Sequence, residues 1–245
     1  LSRRKIKAIF IDMDGTLVYF PNGFSPAQFL LKVLRKLGFS VELGEVEQVY
    51  RDAETWWKER FADDFTRWTR EYFVEYNRRI LSHLGLMQED GSLTAFAKRI
   101  QDHWERAPEE AGELLYPEAP AVLEELKARE LALGILSNRT LSTIRSSLQK
   151  HGISNYFSFL VSPQVANAPR GKLDRAMWTY ALERAGAKPE EVVHIGDRYD
   201  HDVLGARAVG VPAILIDRED RCPDADCPRA RDLQEAVSLL EGWVL

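Results

Sequence analysis

The chain has 245 residues, 45% of them hydrophobic and 29% charged, and a formal net charge of −5. That length suits one large domain, or one domain with a smaller companion, and the apolar content is ample for a core. The acidic balance argues against a dedicated nucleic-acid binder, and no apolar run approaches bilayer-spanning length, so neither nucleic acid nor a membrane is expected as a partner.

The first element is a strand over residues 7–11, short and rich in branched and aromatic side chains, with the pattern of a strand buried on both faces. It runs into Asp12-Met13-Asp14-Gly15-Thr16, two carboxylates one residue apart followed by a glycine and a hydroxyl. A single Asp there passes as turn chemistry. Two acids at the carboxyl end of such a strand, where open α/β sheets keep their ligand crevices, mark an active-site edge. Because this strand starts within a few residues of Leu1, no leader segment is expected, and the expected location is the cytoplasm.

Asn22-Gly23 has the composition of a tight hairpin-type turn, and Ser25-Pro26 that of a helix start. From about residue 27 to about 113 no strand pattern is convincing. Phe29, Leu30, Val33, Leu34 and Leu37 recur at helical spacing, and Phe65, Trp68, Tyr72 and Phe73 fall on one helical face. This stretch is expected to be a small domain of four or five helices, its aromatics mainly core rather than a ligand box. From about residue 116 the pattern alternates. Helices are expected over 117–129, 140–151, 173–186, 200–209 and 233–240, and strands over 131–136, 157–161, 192–195 and 213–216. Repeated β-α alternation implies an α/β fold with a mostly parallel, Rossmann-like sheet and helices on both faces. The expected division is residues 1–19 and 115–245 as α/β core, with residues 20–114 inserted after the first strand. Cys222 and Cys227 fit neither a disulfide framework nor a zinc site, and free thiols are favoured over a local bridge.

Polar residues follow the apolar strands at matching positions: Ser137-Asn138 after residues 133–136, and Gly196-Asp197 after residues 192–195, with Asp202 five further on. Singly, these are helix caps or turn residues. Jointly they converge, because carboxyl ends of parallel strands share one sheet edge. Four carboxylates at one locus call for a cation, and hard oxygen donors favour Mg²⁺. A hydroxyl, backbone N–H groups and a lysine, Lys172, suit the equatorial oxygens of a phosphoryl group, which the first carboxylate can attack.

Asp12-Met13-Asp14-Gly15-Thr16, Ser137-Asn138, Lys172 and Gly196-Asp197 with Asp202 together resemble the four motifs of the haloacid dehalogenase superfamily. The resemblance spans the α/β portion, including Leu115-Tyr116-Pro117, and implies that the helical insertion is a cap of the C1 type. It implies Asp12 as nucleophile and metal ligand, and Asp14 as general acid and base whose backbone carbonyl also binds Mg²⁺. Thr16 orients Asp14; Ser137, the Asn138 backbone N–H and Lys172 hold the phosphoryl; Asp197 is the main further ligand, supported by Asp202. The third motif is Lys172-Leu173-Asp174 where Lys-Pro-Asp is common, and spacing to the 180–183 segment favours Lys172 over Arg170. Arg198 stands where Ser is common and is expected to be a solvated surface residue.

Within the superfamily, Asp14 separates the reactions. Halide needs no proton on departure, whereas an alkoxide leaving group does. The implied activity is an Mg²⁺-dependent phosphatase acting on a small phosphorylated metabolite. A phosphohexose mutase and a non-catalytic phospho-accepting signalling protein are the alternatives. In the insertion, Arg60, Arg67, Trp56, Trp57 and Trp68 are candidates to face the crevice. His194 and His201 are expected to be structural or to border the metal loop.

Overall fold

The computed structural model describes residues 5–61, 64–86 and 90–240. Strand β1 (Ala8–Ile11) is buried at every position. Its side chains alternate between two apolar layers, Ile9 and Ile11 joining one and Ala8 and Phe10 the other. That alternation explains the unbroken apolar run in the sequence, because neither face meets water. The chain then makes a two-residue strand β2 (Val18–Tyr19) and enters helix α1 (Pro26–Lys36). Ser25 caps α1, its Oγ accepting from the Gln28 N–H, with Pro26 in the first turn where no donor is needed. The Asn22-Gly23 pair closes no hairpin. Gly23 N–H donates to the Phe20 carbonyl at 3.0 Å in a turn leading into α1, and the partner of β2 lies far along the chain.

Helices α2 (Leu43–Phe61), α3 (Arg70–His83), α4 (Asp90–Glu105) and the short α5 (Ala107–Glu110) follow. With α1 they enclose their own apolar core, which includes Leu30, Leu34, Val46, Ile80, Leu81 and Ile100. The aromatic run is not one continuous helix. Phe65–Arg67 forms a single 3₁₀ turn capped by Asp64, whose Oδ1 accepts from Thr66 N–H at 3.0 Å. Only after Thr69, whose Oγ1 accepts from Tyr72 N–H, does α3 begin. Two polar caps override the hydrophobic spacing.

The remaining elements in order are β3 (Leu114–Leu115), α6 (Ala119–Ala128), β4 (Ala132–Leu136), α7 (Leu141–Lys150), β5 (Phe159–Val161) and α8 (Pro163–Ala166). They continue with α9 (Arg175–Ala185), β6 (Val192–Gly196), α10 (Leu204–Arg207), β7 (Ala213–Ile216), β8 (Arg229–Ala230) and α11 (Leu233–Leu240). Six strands form one parallel sheet in the order β5-β4-β1-β6-β7-β8. One face is covered by Val122, Leu126, Ile144, Leu148, Val237 and Leu240 of α6, α7 and α11. The other is covered by Ala166, Met177, Trp178, Ala181 and Ala206 of α8, α9 and α10. The expected α/β architecture is therefore present.

Separately, β2 and β3 pair antiparallel, Val18 with Leu115 and Tyr19 with Leu114. The helical segment thus leaves and returns through one small ribbon. The helix expected over 200–209 starts instead as a π-helical turn, Tyr199–Val203, before α10. Cys222 and Cys227 are free thiols. Among the described residues no helix is long and apolar enough to cross a membrane.

Candidate active site

Asp12 continues the β1 ladder by one bond, its N–H donating to the Ile195 carbonyl at 2.9 Å, and its side chain emerges at the carboxyl edge of the sheet. Ser137 does the same beyond β4, bonding the Val161 carbonyl at 3.1 Å. Asp197 follows β6 directly. Lys172 comes from a 3₁₀ turn, Gly171–Leu173, and its side chain is 3% exposed. The ammonium lies 2.6 Å from Asp12 Oδ1 and 2.5 Å from Asp202 Oδ1. Asn138 holds that turn from across the edge, its Oδ1 accepting the Lys172 backbone N–H at 3.0 Å. The indole of Trp178 donates to the Lys172 carbonyl at 2.7 Å. A buried lysine is therefore fixed at both ends before any ligand arrives.

Asp202 is fully buried and wholly engaged. Its Oδ1 meets Lys172 and His194 Nε2, the latter at 2.8 Å, and its Oδ2 accepts from Arg198 N–H at 2.9 Å. This inward pull accounts for the widened turn ahead of α10: the carboxylate must reach under β6. Gly196 permits it, since a Cβ there would lie 2.3 Å from Asp202 Cγ. Gly15 plays the same part on the other side, at φ +67°, where a Cβ would sit 2.2 Å from Asp197 Oδ2.

The electrostatics follow from burial and crowding. Burial pushes the Asp12 carboxyl up to about 8, with the Asp202 and Asp197 carboxylates adding to the rise and Lys172 opposing it. Burial and Asp202 likewise push Asp197 up to about 6. Burial disfavours the charge on Lys172, but Asp12 and Asp202 outweigh it and hold the ammonium well above its usual range. Burial works against the Asp202 charge too, yet Lys172 and His194 hold its carboxyl far below the usual range. One oxygen each of Asp12, Asp197 and Asp202 falls within 4.8 Å of the others. Such an oxygen-only set, with two members that resist ionisation by themselves, fits a hard divalent cation.

Asp14 stands apart from this cluster. Its carboxylate is 55% exposed and is held by Arg139, whose Nε donates to Asp14 Oδ2 at 2.8 Å while Nη2 reaches Oδ1. The Thr16 hydroxyl is buried and makes no hydrogen bond, so the group that touches Asp14 is Arg139. The Asp14 side chain is not in the carboxylate trio, consistent with a cation contact through its main chain alone. Arg139 also lies 2.7 Å from Glu113, which is fully buried just before β3 and is further held by Ser147 and by His151 Nε2 at 3.2 Å. Arg218 adds a second unforeseen cation, donating to the Gly15 and Thr16 carbonyls at 3.2 and 3.1 Å and stacking on the Tyr116 ring.

Arg139 was findable, being the residue after Ser137-Asn138. Arg218 follows β7 at the same sheet edge. Glu113 carried no local signal. Of the other expected residues, Arg170 bonds Asp174 and is 67% exposed, away from Asp12. Arg198 pairs with Asp200 at the surface. In the helical segment, Trp57 and Trp68 line a cavity facing this edge. Arg67 bonds Asp64, Trp56 lies under the Arg79 guanidinium, and Arg60 is exposed and outside that cavity wall.

Several known proteins are similar to this chain. Phosphoserine phosphatase of Thermus thermophilus is 38% identical over 152 residues, a match covering 56% of this chain and 59% of that enzyme. Glyceraldehyde 3-phosphate phosphatase of Methanothermobacter thermautotrophicus is 25% identical over 216 residues, covering 87% of each. Among solved structures, 2-haloacid dehalogenase from Pseudomonas syringae superposes with a TM-score of 0.77 over 98% of this chain and 100% of that one, at 22% identity, a likeness of fold. The family description haloacid dehalogenase-like hydrolase matches residues 6–210, which include the strand-end acids, Ser137, Lys172, Asp197 and Asp202. By that match, and by the lysine-bridged carboxylates at its sheet edge, the chain belongs to the haloacid dehalogenase-like hydrolase family.

Proposed function

We propose that this chain is a phosphomonoester hydrolase for a small phosphorylated metabolite, working with Mg²⁺ through an aspartyl-phosphate on Asp12. In this reading residues 1–19 and 115–245 form the catalytic core, and residues 20–114 are the cap over the leaving group. The observation that carries it is the Lys172 ammonium fixed between Asp12 and Asp202, with a second acid, Asp14, free of that cluster. Such an arrangement aims Asp12 and opposes the rise that burial imposes on its carboxyl, while leaving Asp14 to handle protons. Phosphatase relatives support the same conclusion.

Asp12 and Asp197, with the Asp14 main-chain carbonyl, would hold the cation, and Asp202, which also fixes Lys172, would support it. Mg²⁺ supplies positive charge that relieves the Asp12–Asp197 repulsion and draws charge from the transferring phosphoryl. The Asp12 carboxylate attacks phosphorus, and the bond to the leaving oxygen breaks as Asp14 delivers its proton there. Ser137 Oγ, the Asn138 N–H and Lys172 receive the equatorial oxygens. Asp14, now ionised, takes a proton from water, whose oxygen attacks the acyl phosphate and releases phosphate and Asp12.

The test is phosphate release from a panel of phosphomonoesters with Mg²⁺ and with EDTA, for the native chain and Asp12→Asn. Release that requires the metal and is lost in the variant is the expected result. Equal release from Asp12→Asn, or none from any ester by folded protein, would overturn the reading.

A further inference from the structure

We propose that the crevice between the helical segment and the sheet edge takes a leaving group bearing a flat, uncharged aromatic ring. The esters turned over are then of nucleoside or aryl type, not phosphates of small carboxylic acids. This rests on the phosphatase reading above.

The crevice is a cavity of about 630 Å³, in the range of small-molecule sites. Its position ties it to the chemistry. Arg139 lines it and also grips Asp14, the acid assigned to the leaving oxygen. Phe65 lines it from the other side and is anchored to the Lys172 turn: its N–H donates to the Pro169 carbonyl at 2.7 Å. A Cβ on Gly171 would lie 3.0 Å from the Phe65 ring. In this proposal the leaving group of a phosphoryl at Asp12 would extend into the cavity between Arg139 and Phe65.

The wall is aromatic. Trp57 and Phe73 lie nearly parallel, 13° apart with centroids at 5.8 Å, and Trp68 stands edge-on to Phe65 at 4.4 Å. Within this apolar wall, Asn77 and Gln101 are buried and joined by a 3.3 Å hydrogen bond. The Trp68 indole N–H is buried with no acceptor among the described residues. A polar edge inside an aromatic wall suits a heteroaromatic ring.

Charge excludes the small acids. Both cations in the wall are committed, Arg70 to Asp102 and Glu105 and Arg139 to Asp14 and Glu113. Glu54 adds an exposed acid to the same wall. A carboxylate bound within this wall would share it with the Glu54 acid and find neither wall cation uncommitted. A neutral ring meets only surface it can stack on.

The experiment compares kcat/KM within matched pairs sharing a primary alkoxide leaving group: 5′-AMP against ribose 5-phosphate, and benzyl phosphate against glycerol 3-phosphate. Phosphoglycolate and phosphoserine complete the set. The ring-bearing member of at least one pair should lead by about 10-fold or more, the scale of one aromatic stacking contact. A lead confined to 5′-AMP assigns nucleotides, and one confined to benzyl phosphate assigns aryl esters. Phosphoglycolate or phosphoserine equal to or above both ring esters overturns the inference while leaving the phosphatase reading intact. Should no ester be hydrolysed, the phosphatase reading fails and the ring site is judged by binding alone. For that, calorimetry of adenosine and benzyl alcohol on Asp12→Asn protein should give saturable binding for one of them, weakened in the Asp12→Asn, Trp68→Leu double variant. No saturable binding overturns the inference. Glu54→Gln should raise kcat/KM for phosphoglycolate several-fold; no rise for phosphoglycolate would refute the charge argument.

Discussion

Replacing Glu113 by Gln removes one of the two carboxylates that neutralise Arg139, at the point where the helical segment rejoins the sheet. Glu113 is fully buried and the Arg139 side chain is 11% exposed, so the pair is shielded from solvent. Removing one partner of a buried pair costs about 3–5 kcal/mol. Here Asp14 still faces the guanidinium, and Gln still offers an oxygen to Ser147, so the expected loss is the smaller figure of about 2–3 kcal/mol. For a chain of this size that is a fall in Tm of roughly 4–12 °C. Thermal unfolding followed by circular dichroism measures it, with Arg139→Met and the double variant Glu113→Gln, Arg139→Met completing a cycle. The double variant should lose less than the sum of the single losses, by roughly 1–3 kcal/mol, because no unpaired charge is left behind. A shift of under about 2 °C for Glu113→Gln, or strict additivity, would refute the pairing argument.

Other consequences are equally direct. Lys172→Met should lower kcat by about 10²–10³-fold, the usual cost of losing one group that stabilises transition-state charge, as read by steady-state kinetics; unchanged kcat would remove Lys172 from the mechanism. Gly15→Ala should weaken Mg²⁺ binding in calorimetry, because its Cβ would displace the Asp197 carboxylate from 2.2 Å away, and native affinity would contradict that. His151 gives a pH signature. Burial lowers its pKa from 6.5, with Glu113 opposing the shift, so above that value neither folded nor unfolded chain gains a proton there. Below it the unfolded chain takes one up while the folded chain resists, and stability falls. His151→Gln should therefore gain on the native protein as pH drops below 6.5 in urea denaturation; a difference constant with pH would count against it.

The sheet and the strand-end acids were readable because each is local. Asp12, Ser137 and Asp197 each follow an apolar run within one element, and parallel topology alone brings them to one edge. Arg139 and Glu113 owe their importance to contacts across 125 and 34 positions of chain, with Asp14 and Ser147 respectively, which no local window of sequence contains. β2, β3 and β8 have two residues each, too few for a period of two to register. The break at Thr69 was visible as a cap residue, but aromatic spacing read alone carried the helix across it. Within residues 199–203, the wide turn is imposed by where the Asp202 carboxylate must go, a tertiary demand with no local signature.

The β2–β3 ribbon has a consequence for how such a chain diversifies. Tyr19 and Leu114 are paired neighbours, so everything between them hangs from two adjacent strands. A segment attached this way is a cassette: it can be exchanged, lengthened or trimmed to a short turn without altering any strand of the main sheet. The same ribbon abuts the Asp14 loop, since Gly15 N–H donates to the Val18 carbonyl at 3.0 Å. A replacement segment would thus be joined one hydrogen bond away from the loop that carries Asp14.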